Sequence, residues 1–169
     1  MKRIAAVVLV TAMVVAMGSA AFARQGINGF AGRSQIEHLY LFEKDLTDWS
    51  VVEDGAYGKA VFNWKHSTVS FEGVGLVPQT EYALVFYSEP EYDGWANRET
   101  TVISAGTSDA DGLLELGRTA FDIEAIRSME EPPGAYKIWL VPCSSIVDDQ
   151  IQWIAPEMFL FESRLLYKP

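Results

Sequence analysis

The stretch Lys59-Ala60-Val61-Phe62-Asn63-Trp64-Lys65-His66 alternates in period two: Lys59, Val61, Asn63 and Lys65 interleave with Ala60, Phe62, Trp64 and His66. Successive side chains of an extended chain point to opposite faces, so one face of this segment is mostly polar and the other apolar. A half-buried antiparallel strand needs that pattern, and Trp64 is expected in the core beside Phe62. Val69 and Phe71 against Ser70 and Glu72 repeat it, and Tyr82, Leu84 and Phe86 form the inner face of a longer strand reaching Tyr87.

Working outward, short runs of the same period are separated by turn signals. His38 to Glu43 comes first, and Val51-Val52 suggests a short second strand ending at the tight-turn pair Asp54-Gly55. Thr100 to Ala105 is rich in strand formers, and Asp109-Ala110-Asp111-Gly112 turns the chain into Leu113 to Leu116, which predicts a hairpin. Tyr136, Ile138 and Leu140 alternate after Pro132-Pro133-Gly134, and Phe159, Phe161 and Ser163 oppose Leu160, Glu162 and Arg164. Trp139 is expected either to cover a second buried face or to be exposed. Ile123 to Met129 fits a helix and a strand equally well. About eight or nine strands at even spacing predict an all-β antiparallel β-sandwich or barrel in a single domain over 36–169.

The N-terminus reads as an export signal. Lys2 and Arg3 precede an apolar run from Ile4 to Met17, and Ala21-Phe22-Ala23 supplies the small residues of a cleavage site before Arg24. Residues 1–23 are therefore expected to be a signal peptide and 24–35 a flexible lead, with the mature chain secreted, extracellular or periplasmic. The run falls short of the about 20 apolar residues of a membrane span, so no stable insertion is expected after cleavage. The chain of 169 residues carries 23 acidic and 13 basic groups, a formal net charge of −10. That balance disfavours nucleic acid, whose phosphates it repels, and anionic lipid. Cys143 is the sole cysteine, so an intrachain disulfide is impossible, and its place at the end of Leu140-Val141-Pro142 favours burial.

Leu76-Val77-Pro78-Gln79-Thr80-Glu81-Tyr82 matches the L-x-P-x-T-x-Y run of fibronectin type III modules and resembles the tyrosine corner of immunoglobulin-like sandwiches. The resemblance implies structural roles: Pro78 and Thr80 shape a crossover, and the Tyr82 hydroxyl bonds back to the main chain. Because 87 residues follow Tyr82, the module would carry extra strands. More widely, Leu41-Phe42-Glu43-Lys44-Asp45, Trp49, Gly55-Ala56-Tyr57-Gly58-Lys59, Lys137-Ile138-Trp139-Leu140-Val141 and Phe159-Leu160-Phe161-Glu162 resemble a set of uncharacterised secreted prokaryotic proteins. That resemblance implies a β-sandwich and supplies no catalytic residues.

Coherent chemistry is hard to assemble from these residues. His38 and His66 have no nucleophile motif beside them, and G-x-S-x-G is absent. Asp109, Asp111 and Gly112, aligned to positions three, five and six of a calcium loop, place Arg118 where the bidentate glutamate belongs, so a hairpin turn is preferred. Two histidines and one cysteine, widely separated, do not suit zinc. Glu89, Glu91, Asp93, Asp148, Asp149 and Glu157 offer carboxylates for glycoside hydrolysis only if two converge on one cleft. No cofactor or metal is expected. The best recognition candidates are Tyr92, Asp93, Trp95 and Asn97, an aromatic pair with hydrogen-bonding neighbours in a loop between strands; Trp95 folding back over the core is the competing assignment. The expected function is a secreted, non-catalytic β-sandwich for surface attachment, envelope structure or protein association, with an unknown protein or glycan as partner. A carbohydrate-binding module is the alternative, and a small secreted hydrolase the third.

Overall fold

A computed structural model describes residues 35–87, 98–122 and 135–167. The proposed signal peptide, most of the lead, the Tyr92–Asn97 candidates and the Ile123–Met129 segment lie outside the described residues.

The described chain is all-β and antiparallel. Eight strands form the main wall: β1 (Ile36–Phe42), β2 (Tyr57–Asn63), β3 (Thr68–Val74), β4 (Glu81–Tyr87), β5 (Arg98–Thr107), β6 (Leu114–Ala120), β7 (Ala135–Pro142) and, numbered in chain order, β10 (Leu160–Glu162). Three two-residue strands, β8 (Ile146–Val147), β9 (Gln150–Ile151) and β11 (Leu166–Tyr167), are too short to announce themselves by alternation. The order is β6-β3-β2-β1-β10-β7-β4-β5-β9-β8, with β11 on β7.

Alternation holds where it was clearest. Leu39, Leu41, Ala60, Phe62, Trp64, Val69, Phe71, Leu84, Phe86, Ile138 and Leu140 are buried together on the inner face. Phe62 stacks on Trp64 at 5.8 Å, and Phe121 meets both rings edge-on. The strand ends earlier than expected, however. Residues 64–67 turn, with His66 N donating to Asn63 O (3.3 Å) and Ser67 at φ 46°, so His66 is exposed on a turn and not on a strand face. Val51-Val52 likewise makes no strand; Val51 forms only an isolated bridge to Lys44.

The turn at Asp109–Gly112 is real, but the hairpin is not. β6 pairs with β3 and β5 with β4, leaving the β5–β6 seam without a backbone ladder among the described residues. Ser104 Oγ and Thr119 Oγ1 meet across it at 3.2 Å, and the sheet is nearly closed there. The turn is drawn away from a hairpin by bonds to the β3–β4 crossover: Leu76 N donates to Gly112 O (3.1 Å) and Gln79 N to Ser108 O (3.1 Å). Gly112 sits at φ 77°, and a Cβ there would lie 2.3 Å from Leu76 O, so glycine is required both by conformation and by close approach. Asp109 Oδ1 accepts from Asp111 N (2.9 Å) and Leu113 N (2.8 Å), an Asx-type turn.

Tyr82 is fully buried, and its hydroxyl accepts a bond from Val77 N (3.2 Å). Thr80 Oγ1 donates to Pro78 O (3.2 Å) within the same crossover. Sequence reading missed Ser108, which is buried, donates to Val77 O (2.7 Å) and accepts from Thr80 N (3.1 Å). Ser108→Ala removes the buried hydroxyl that bonds both Val77 O and Thr80 N and is expected to cost about 1–3 kcal/mol, whereas Tyr82→Phe, which removes the single bond to the Val77 amide, is expected to cost about 1 kcal/mol. Urea unfolding of the two variants checks the ranking.

A second apolar cluster lies on the opposite face of β4, β7 and β10. Ala83, Val85, Trp139, Val141, Ile151, Phe159 and Phe161 are buried in it, with Cys143 and Ile146 packed alongside. Trp139 therefore covers a second buried face. Strands buried on both sides read as continuous apolar runs, as Tyr82–Phe86 and Ile138–Val141 do.

Candidate functional site

The site is built by two excursions from the wall that meet over the second cluster. The first runs between β1 and β2. Glu43 N donates to Ala56 O (2.8 Å), Glu43 Oε2 accepts from Ala56 N (2.8 Å) and Asp45 N donates to Ser50 O (2.9 Å), closing the base of the loop. Asp45 and Asp48 then shape its tip: Asp45 Oδ1 accepts from Thr47 N (2.7 Å) and Asp48 Oδ1 from Ser50 N (2.9 Å). The bonds from Ser50 hold the Asp48 carboxyl below its ordinary value. Trp49 N donates to Asp45 O (2.8 Å), and Trp49 itself sits at φ 62°. Bulky side chains rarely occupy that left-handed region, and the conformation persists only where surrounding contacts over-determine it.

The second excursion joins β7 to β10. A single 3₁₀ turn, Cys143–Ser145, leads into the β8–β9 hairpin, whose two turn residues, Asp148 (φ 51°) and Asp149 (φ 57°), are both left-handed, as a two-residue turn of the primed type requires. Ser145 is fully buried; its Oγ donates to Ile154 O (2.8 Å) and its carbonyl accepts from Gln152 N (2.7 Å). A second 3₁₀ turn, Pro156–Met158, returns the chain to β10.

These loops bring Trp49 and Trp153 side by side, ring centres 6.4 Å apart and tilted 44°. Both are about two-fifths exposed (40% and 41%) while their inner edges rest on buried rings. Trp49 meets Phe161 edge-on at 5.2 Å, and Trp153 meets Phe159 edge-on at 5.6 Å. Beneath them Trp139 packs edge-on against Phe161 at 4.9 Å. Aromatic pairs prefer such edge-to-face contacts, which fix ring orientation as well as adding energy.

A lysine and a buried carboxyl accompany these rings. Lys44 Nζ donates to the Glu162 carbonyl (3.2 Å) and lies 5.9 Å from the ring centres of both Trp49 and Phe161. Glu162 Oε2 is buried without a hydrogen-bond partner. Burial pushes the Glu162 carboxyl up to about 7, against the opposing pull of Lys44, Lys137 and a hydrogen bond to Trp139. Farther along the wall, Arg164 Nη1 pairs with Glu37 Oε1 (2.8 Å) and Nη2 donates to His38 O (3.1 Å), tying the chain after β10 to β1.

The sequence-level candidates are not gathered here. Tyr92, Asp93, Trp95 and Asn97 lie outside the described residues, as do Glu89 and Glu91. Trp64 belongs to the inner core, and Pro78, Thr80 and Tyr82 to the crossover. Asp148 and Asp149 serve the β8–β9 turn, Glu157 is exposed in the second 3₁₀ turn, and His38 and His66 are exposed on β1 and on the β2–β3 turn. Cys143 is a free, half-buried thiol that burial pushes up. Among the described residues no group of three or more His, Cys, Asp and Glu side chains is placed to hold a metal, and no helix is long and apolar enough to cross a membrane. Trp49 and Trp153 were missed as a site. The available signal was a tryptophan directly after Asp45-Leu46-Thr47-Asp48 and another in the non-periodic stretch before Pro156.

No protein family, curated protein or solved structure matches the chain.

Proposed function

We propose that the protein is a non-catalytic attachment module of the cell exterior, an elaborated immunoglobulin-like sandwich that engages its partner through the Trp49–Trp153 face. The carrying observation is the pair of half-exposed indoles seated on a buried aromatic layer. Large rings with few rotatable bonds, already fixed, lose little entropy on contact and are the side chains that dominate binding faces. The corner bond from Val77 N to the Tyr82 hydroxyl supports the immunoglobulin-like part of the reading, and the apolar N-terminal run supports export. Incubation of the purified protein with envelope preparations tests it. Wild-type protein is expected to be retained, and Trp49→Ala and Trp153→Ala variants to wash off while keeping their far-ultraviolet dichroism. Equal retention of all three would exclude this face.

Paired, tilted indoles also suit stacking on sugar rings, which keeps carbohydrate recognition as a second reading. Binding on a glycan array that disappears in Trp153→Ala would select it.

A further inference from the structure

The surroundings of the two indoles describe the partner. Leu46, Val51 and Ile154, on the same two loops, are 36%, 53% and 48% exposed. Exposed aliphatic side chains on the loops that carry the aromatic pair favour an apolar protein segment as the partner. The charge of the loops is one-sided. Asp45 and Asp48 flank the Trp49 tip, and Asp148 and Asp149 form the β8–β9 turn, all exposed. Lys44 is the single basic residue from Glu43 to Ala56, there is none from Cys143 to Met158, and Lys44 is engaged by the Glu162 carbonyl.

Resting on the attachment reading above, we propose that the Trp49–Trp153 face binds a protein segment with an apolar centre flanked by lysine or arginine side chains. The indoles and aliphatic groups take the centre, and the carboxylates on the two loops meet the flanking cations, setting register and encounter rate. A second copy of this chain is a poor occupant, since it brings the same carboxylates and a net charge of −10 to the contact. An anionic membrane surface is opposed by the same charge.

The test uses the purified protein and three synthetic peptides of equal length: an amphipathic Leu/Lys peptide, its Leu/Glu counterpart, and a Ser/Lys peptide with the same charge and no apolar face. Titration is followed by tryptophan fluorescence and calorimetry at two salt concentrations. The Leu/Lys peptide is expected to bind about tenfold more tightly than either control, and Trp153→Ala or Ile154→Ser to remove most of that advantage. The double variant Asp148→Asn/Asp149→Asn, which keeps side chains that tolerate left-handed backbone, is expected to weaken binding several-fold and flatten its salt dependence. Leu/Glu binding as well as Leu/Lys, or Ser/Lys binding as well as Leu/Lys, overturns the proposal. Self-association abolished by Ile154→Ser, or neutral polysaccharide captured in place of peptide, also overturns it. If the peptide preference fails while envelope retention still depends on Trp49 and Trp153, the partner class is wrong and the attachment reading stands. If retention is independent of both indoles, the attachment reading itself falls.

Discussion

Trp139→Ala is expected to lower the unfolding free energy by about 3–5 kcal/mol, the cost of emptying a buried aromatic site that cannot collapse. The site is confined on two sides. Val85 faces Trp139 in the β4–β7 register, and Phe161 faces it in the β7–β10 register. Above it the loop from Cys143 to Met158 has little core of its own apart from Ile151 and depends on this ring layer for anchorage. Urea unfolding should show the loss, and limited proteolysis should cut the β8–β9 region first, because local opening there exposes few other buried contacts. Trp153→Ala, at a position two-fifths exposed, should cost far less. Equal costs for the two substitutions would mean that the ring layer is not the anchor of the loop.

Glu162→Gln is expected to stabilise the protein above neutral pH by about 3 kcal/mol, with little difference below pH 4.5. Its carboxyl is raised from an ordinary 4.5 to about 7 in the folded chain, chiefly by burial. Between those values the folded state holds a proton that the unfolded state releases, so the stability contributed by neutral Glu162 is fully present below 4.5 and is lost as pH rises through 7. The amide stays uncharged throughout and keeps an oxygen for the Trp139 hydrogen bond, which removes the penalty without removing the contact. The quantity to measure is the wild-type minus variant difference in denaturant stability from pH 4 to pH 9, since the other carboxylates cancel in it. A flat difference would place Glu162 in water.

How much of this was legible in the chain varies with the element. Alternation marked β2, β3 and the inner face of β4 because each has one face in a core and a period-two pattern to show it. It faltered at His66, where Asn63 and Ser67 impose a turn that no hydrophobic period records. The hairpin expectation at Asp109–Gly112 failed for a different reason: the dipeptide chemistry fixes a turn, but strand partners are chosen by distant bonds from Ser108 and Gly112 to the Leu76–Thr80 crossover. Trp139 was legible only to the point of two alternatives, because part of its cover, Ile151 and Trp153, comes from a stretch with neither period. The indole pair was invisible for the same reason. Trp49 and Trp153 are over a hundred residues apart, and only closure of β1 against β10 brings their loops together.

The same closure governs how the protein reaches its native state. Leu41 pairs with Glu162 and Phe42 with Phe161, so the two halves of the sheet cannot join until a strand formed early in the chain meets one made much later. Ring closure over that span costs entropy before any contact returns it, which places folding in the millisecond-to-second regime of non-local β topologies. Until then β1 and β7 each present a bare row of amides and carbonyls to whatever is near. Crowding during this interval favours intermolecular pairing, so yield on refolding should fall steeply with protein concentration even though the finished sheet leaves those rows covered.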